Sequence, residues 1–259
     1  MGIDLYIEIF QNYWIIISLF FIIAFLYSSV GFGGGSSYLA VLALTGFAFT
    51  QIRSTALLCN IVVVSSNVIL FIKRDSYHWK KVIPLTLFSV PFAFLGGYLK
   101  ISQSFFFILL GSVLLFAAIT MWISKRISSS NNISNKLSIK KNATYGSIIG
   151  FVSGMVGIGG GIFLAPLLHI SKWDNPKKIA ATASFFILVN SSSGLLGQYI
   201  NTDFQINWSL TSILLITVFI GGQIGSRMSN KLLNAIQLKK ATALLIAFVS
   251  IRILWKYLF

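Results

Sequence analysis

The sequence predicts an all-α fold: a polytopic transmembrane helical bundle of two inverted-topology repeats, each of five segments including a short or broken helix. Three observations lead there. The chain is 56% hydrophobic and 10% charged, with a mean hydropathy of +0.85, where a soluble domain carries about a quarter charged residues. Apolar stretches of spanning length recur throughout. A Gly-x-Gly-Gly-Gly motif occurs twice, at 31–35 and 157–161, a spacing of 126 residues.

The apolar runs lie at roughly 13–30, 34–47, 53–72, 82–99 and 104–123, then at 143–157, 159–171, 178–200, 209–227 and 238–258. Between the two sets lies a stretch at 124–142, rich in Ser, Asn and Lys, that reads as a linker. This divides the chain into a first repeat (1–123), a cytoplasmic linker (124–142) and a second repeat (143–259). Crossing a hydrocarbon core of about 30 Å takes about 20 helical residues, so the runs at 34–47 and 159–171 are too short for straight regular spans. They read as half-helices, either re-entrant or parts of broken spans. Barrel strands of about ten alternating residues do not match the long unbroken runs, which leaves helices as the way to satisfy the backbone in lipid.

Charge placement gives the topology. Asp4 and Glu8 precede the first run with no Lys or Arg among them, the wrong sign for a cleaved signal peptide, so that run is expected to stay. Alternating the ten runs from an external N-terminus puts sixteen of the twenty basic residues inside, as the positive-inside bias requires. These are Lys73, Arg74, Lys80 and Lys81; Lys125, Arg126, Lys136, Lys140 and Lys141; Lys172, Lys177 and Lys178; and Arg227, Lys231, Lys239 and Lys240. Arg53, Lys100, Arg252 and Lys256 fall outside or near it, and the loop at 201–208 carries Asp203 and no basic residue. Both termini are expected outside a bacterial inner membrane. The net charge of +15 is thus a topology signal scattered over several loops, and the partner is the lipid bilayer, with no nucleic acid expected. An odd number of segments per half inserts the second copy the opposite way up, an arrangement common in secondary transporters.

Further anchors support the repeat. With a one-residue shift Ser54-Thr55-Ala56 falls on Ala181-Thr182-Ala183, and Gly96-Gly97 falls on Gly221-Gly222. Three consecutive glycines cost roughly 2–3 kcal/mol of helix propensity against Ala and should break the helix. A helix restarting at Ser36-Ser37 or at Ile162-Phe163 then presents unpaired N–H groups and about half a positive charge, an anion site without a charged side chain. The competing reading is close helix packing. A dinucleotide-binding loop is excluded, since no βαβ context surrounds Gly31-Phe32-Gly33-Gly34-Gly35 and no acidic residue follows at the required distance. The candidate substrate-binding residues are therefore Gly33, Gly34, Gly35, Ser36 and Ser37 with Thr55 and Asn60 in the first half, and Gly159, Gly160 and Gly161 with Thr182 and Asn190 in the second. Ser65, Ser66, Asn67, Ser184, Ser191, Ser192, Ser193 and Gln198 are further polar residues within runs. A Ser or Thr among these can instead donate to its own helix backbone.

All five acidic residues, Asp4, Glu8, Asp75, Asp174 and Asp203, fall in termini or loops. That disfavours a buried-carboxylate proton relay or a cation pathway and suits an anionic substrate held by dipoles and neutral donors. No catalytic set, metal site or cofactor is expected: no His/Glu metal spacing, Ser/His/Asp set or Cys pair lies within the runs. His78 and His169 are placed at the interface, and the lone Cys59 is assigned to packing. Gly150 with Gly154, and Gly221 with Gly225, have the four-residue spacing that lets helices approach closely.

The doubled glycine motif, Pro166 five residues after the second copy, Ala181-Thr182-Ala183-Ser184 and the paired glycines at 96–97 and 221–222 together resemble the TauE/SafE sulfite exporter family, also called the toluene sulfonate uptake permease family, over nearly the whole chain. The chain departs from the family pattern at Ala40, where the second half's Pro166 leads one to expect proline, so the first half-helix is expected to be less kinked. The resemblance implies transport of small sulfur-containing anions such as sulfite, sulfonates or sulfoacetate, commonly outward. A gated anion channel is the alternative, and an integral membrane enzyme or assembly factor a more distant one. The identity of the anion and any coupling ion are left open, and a homodimer is compatible with the sequence.

Overall fold

A computed structural model describes residues 2–123, 139–171, 173–202, 204–228 and 235–258. Among the described residues there are ten helices and no strands, in the order α1 (Gly2–Val30), α2 (Gly35–Ala43), α3 (Phe49–Lys73), α4 (Trp79–Tyr98), α5 (Gln103–Ile123), α6 (Ile139–Val156), α7 (Gly161–Ile170), α8 (Pro176–Ile200), α9 (Trp208–Met228) and α10 (Ala235–Leu258). Each apolar run of the sequence has become one helix. Of the expected linker, residues 124–138 lie outside the described residues, and 139–142 form the start of α6. Six helices are long and apolar enough to cross a membrane, within α1, α3, α4, α5, α8 and α9. Their outward faces are apolar as well: Leu87, Ile216 and Phe116 are 66%, 62% and 61% exposed. A surface of that kind is stable against lipid rather than water.

Helix packing respects the sequence repeat. α1 packs on α9 as α6 packs on α4, and α2 lies on α3 as α7 lies on α8. α4 meets α8 as α9 meets α3, and α2 meets α10 as α7 meets α5. Glycines make the first of these pairings possible. Gly146, Gly150 and Gly154 of α6 sit on the carbonyls of Leu85, Ser89 and Ala93 of α4, so any Cβ on that stripe would overlap backbone. Gly221 and Gly225 press in the same manner on Phe21 and Phe25 of α1. These four-residue steps show that α4 and α6, and likewise α1 and α9, run in the same direction side by side. The spacing read as packing from sequence is packing.

α3 and α8, the two central helices, run antiparallel. Ser54 Oγ lies 3.3 Å from Gln198 Oε1 at one end, while at the other Gly31 packs between Phe71 and Ala180. α2 returns along α1: the Phe20 and Tyr38 rings stack at 4.6 Å and Tyr13 reaches Phe47 at 5.7 Å. Thus the short helix and the extended residues before it together make one crossing, from the Phe71 end of α3 back to its start. α7 does the same in the opposite sense, from Gly157 beside Arg53 to Trp173, whose carbonyl accepts from Lys81 Nζ at 3.0 Å. Each short helix, with the extended residues before it, runs alongside the central helices from one end of α3 to the other.

At the basic end of the bundle, the loop before α4 is tied to the loop before α8. Asp174 Oδ2 lies 3.2 Å from His78 Nδ1 and 3.6 Å from Lys81 Nζ. Burial would raise the Asp174 carboxyl, but the Asn175 N–H, His78 and the charges of Lys81 and Lys178 outweigh it and hold the group below its ordinary value. Tyr77 in the same region is pushed above the usual phenol range by burial.

Candidate substrate site at the two helix breaks

Both glycine motifs interrupt the helix, and they do so through the same local geometry. Gly31 and Gly157 each adopt φ +87°, a left-handed conformation open to glycine at little cost. Each closes the preceding helix with a six-to-one bond, Phe32 N to Tyr27 O at 2.9 Å and Ile158 N to Ser153 O at 3.2 Å. The donors and the acceptors are both 126 residues apart. The sequence argument placed the break on the triple glycine through helix propensity; the structure places its start on the glycine before, through a left-handed cap. The helices restart at Gly35 and Gly161, one residue earlier than expected.

The two breaks meet at Asn60, which is fully buried in α3. Its Oδ1 accepts from Gly34 N at 3.2 Å and its Nδ2 donates to Ile158 O at 2.9 Å. One side chain therefore joins the first motif to the second. The contact is close: a Cβ on Gly33 would lie 2.6 Å from Asn60 Oδ1, and one on Gly35 would overlap the Asn60 amide.

Around this junction donors are in surplus. The first bond into the start of α2 is Tyr38 N to Gly34 O, and the first into α7 are Phe163 N and Leu164 N to Gly160 O. The N–H groups of Gly35, Ser36, Ser37, Gly161 and Ile162 precede those bonds and have no acceptor among the described residues. Neither start is capped by a side chain. Buried hydroxyls without a partner add to them: Tyr38 Oη beside Gly34, Ser191 Oγ beside Gly159 and Ser153 Oγ beside Gly160. Unpaired buried donors are costly in a low-dielectric interior, which makes this junction the candidate place for an acceptor. Among the described residues no cluster of three or more His, Cys, Asp or Glu can hold a metal.

Of the side chains singled out from sequence, the structure brings Asn60 to the breaks, and Ser37 adjoins them through Tyr27, Oγ to Oη 2.8 Å. Thr55 instead faces α9, 3.1 Å from Thr211 Oγ1. Thr182 donates to its own helix at Lys178 O, 2.8 Å, and Asn190 donates to Ser89 Oγ at 2.9 Å and to Phe186 O at 2.8 Å. Tyr38 and Ser153 were not singled out. The repeat carried a signal for Ser153, which occupies the position of Tyr27 in the first copy; Tyr38 had none beyond following the motif.

An all-helical bundle in which two short helices begin at glycine turns that meet at one buried asparagine fits the general build of a membrane carrier. The comparisons agree. The family model for the sulfite exporter TauE/SafE matches residues 16–253. A probable membrane transporter protein of Sinorhizobium fredii is 33% identical over 91% of this chain and 96% of its own length. One of Methanocaldococcus jannaschii is 27% identical over 82% and 84%. A sulfite exporter TauE/SafE family protein of Arabidopsis thaliana is 30% identical over 36% of this chain and 19% of its own. No solved structure matches. The chain belongs to the TauE/SafE family and is a membrane transporter of that family.

Proposed function

We propose that this chain exports small sulfur-containing anions, sulfite, sulfonates or sulfoacetate, across the bacterial inner membrane by alternating access of two inverted repeats. The observation that carries the reading is the junction at Asn60, where unpaired N–H groups of α2 and α7 and three unpaired hydroxyls converge from both halves. An oxyanion satisfies such donors, and no carboxylate of the described spans competes with it. The opposite directions of α2 and α7 and the antiparallel α3 and α8 support the inverted arrangement. With that arrangement, and basic loops on the cytoplasmic face, both termini are external. An inside-negative potential favours exit by about 2.3 kcal/mol per charge per 100 mV, so a divalent anion can leave by uniport.

The test is flux of labelled sulfite, or of a taurine-derived sulfonate, from proteoliposomes. Gly34→Leu and Gly160→Leu should abolish it while leaving membrane insertion intact. Transport at the parent rate in both variants would remove the glycine site. Efflux indifferent to a clamped potential would reject uniport, and single-channel currents in a planar bilayer would replace the carrier by a channel.

A further inference from the structure

Arg53 is the exception to the neutrality of the transmembrane interior. The sequence reading placed it outside or near the external face, at the start of a run beginning at residue 53; α3 begins one turn earlier, at Phe49, and Arg53 is 3% exposed within it. Its guanidinium makes two long bonds, from Nη2 to Gly97 O at 3.5 Å and to Gly154 O at 3.4 Å. These carbonyls lie in the last turns of α4 and α6, whose negative ends offset part of the charge. No carboxylate pairs with Arg53 among the described residues, and its Nε is buried without a partner. A buried cation left in this condition is expensive, and ionisable groups at membrane depth are retained for substrate pathways or pairing.

Arg53 lines a small cleft together with Thr50, Ser54, Gln198, Asn201 and Phe204, at the end of the bundle where α8 ends. Gln198, 5% exposed, is placed there with a second unpartnered donor, Nε2, while its Oε1 is near Ser54 Oγ at 3.3 Å. Two buried side-chain donors from the two central helices, one of them cationic, thus converge on one polar cleft. Arg53 is also in backbone contact with Gly157, the glycine that opens the second break. Seven residues further along α3, about 10 Å, is Asn60. The repeat equivalent of Arg53 is Ala180, which packs on Gly31, so the equivalent position at the basic end of the bundle holds no buried cation.

We propose that Arg53 and Gln198 form a one-sided oxyanion-binding site at the mouth of the route, on the face carrying the 201–207 loop. The planar fork of Arg matches two oxygens of an oxyanion, a geometry a point charge does not reproduce. The place of this site on a transport route rests on the function proposed above; its binding chemistry does not.

The experiment uses full-length protein and sulfite, with chloride as the control anion. In detergent, sulfite should raise the melting temperature of the parent protein more than chloride does. Arg53→Gln should weaken sulfite binding by more than about ten-fold, the loss expected for a charged hydrogen-bond partner, with Arg53→Lys between the two. In proteoliposomes of defined orientation, the KM for sulfite should rise on the 201–207 face and stay unchanged on the other; a purely structural role of Arg53 at the ends of α4 and α6 would change both faces together. Parent-like affinity and KM in Arg53→Gln overturn the site. Should Arg53→Gln not fold, Gln198→Met decides, unchanged sulfite affinity again overturning it. Arg53-dependent binding without any flux in the parent would keep this site and sink the transport reading; parent flux with Arg53-independent KM would do the reverse.

Discussion

The two broken spans carry the same five-residue pattern and begin with the same left-handed cap, yet they are built differently past that point. In the first, only Gly31 has positive φ, and Gly34 is at φ −134°. In the second, Gly157, Gly159 and Gly160 all do, at +87°, +82° and +81°. The first motif needs glycine because other atoms come close: Gly35 faces the Asn60 amide and the backbone carbonyl of Ile158. The second needs it chiefly because its backbone turns left. One motif can therefore be kept in both halves of a repeat for different physical reasons.

That difference can be broken at Asn60, where the largest effect is expected. Asn60→Leu leaves Gly34 N–H and Ile158 C=O unpaired, at about 1–3 kcal/mol each, and should lower the melting temperature and abolish sulfite flux together. Stability within experimental error of the parent would show that Asn60 does not hold the two motifs. Next come the repeat-equivalent residues Gly35 and Gly161. A Cβ on Gly35 meets an amide and a backbone carbonyl, whereas one on Gly161 meets the movable end of Ile187. Gly35→Ala should fall at the upper end of the roughly 1–3 kcal/mol typical of overpacking and Gly161→Ala at the lower end; equal unfolding midpoints for the pair would erase the distinction.

Gly160→Ala tests the backbone argument: its Cβ meets the ends of Phe186 and Ile149 much as that of Gly34→Ala meets Ile23 and Tyr38, but it alone adds a left-handed Ala, at about 1–2 kcal/mol. Thermal scans of the two variants should rank Gly160→Ala as the less stable. The smallest effect concerns the loop tie at Asp174. Its carboxyl is held below the ordinary value in the fold, so its contribution is complete above the unfolded value of about 3.9 and is lost as pH falls through the lower folded value. Melting temperatures of the parent and Asp174→Asn should accordingly differ at pH 7 and approach each other as pH falls below the ordinary carboxylate range, and a gap independent of pH would assign the tie no electrostatic part.

Much of the fold was legible because lipid imposes a simple rule on sequence: about 20 apolar residues per crossing, with charges left at the ends. Ten runs became ten helices on that basis, and the two short runs were recognised as incomplete spans by length. The glycine stripe on α6 was legible too, since four-residue spacing puts small residues on one face. The site was legible only in part. Thr55, Thr182 and Asn190 were chosen as polar residues in apolar runs, a criterion blind to which neighbour a helix turns them toward. The same blindness left out Tyr38 and Ser153 and did not see that Arg53 is buried, because a run boundary drawn at the first charge cannot reveal a cation enclosed by carbonyls of two other helices.

Composition and spacing thus determined by themselves that the chain is helical and membrane-embedded, because those properties follow from local periodicity and from the solvent around the helices. Tertiary structure alone decided that both breaks converge on Asn60, that Gly31 and Gly157 rather than the glycine triplets end the helices, and that Arg53 lies against the second break and not the first. The meeting at Asn60 and the place of Arg53 depend on contacts between residues 26 to 104 apart in the chain, which no local pattern encodes.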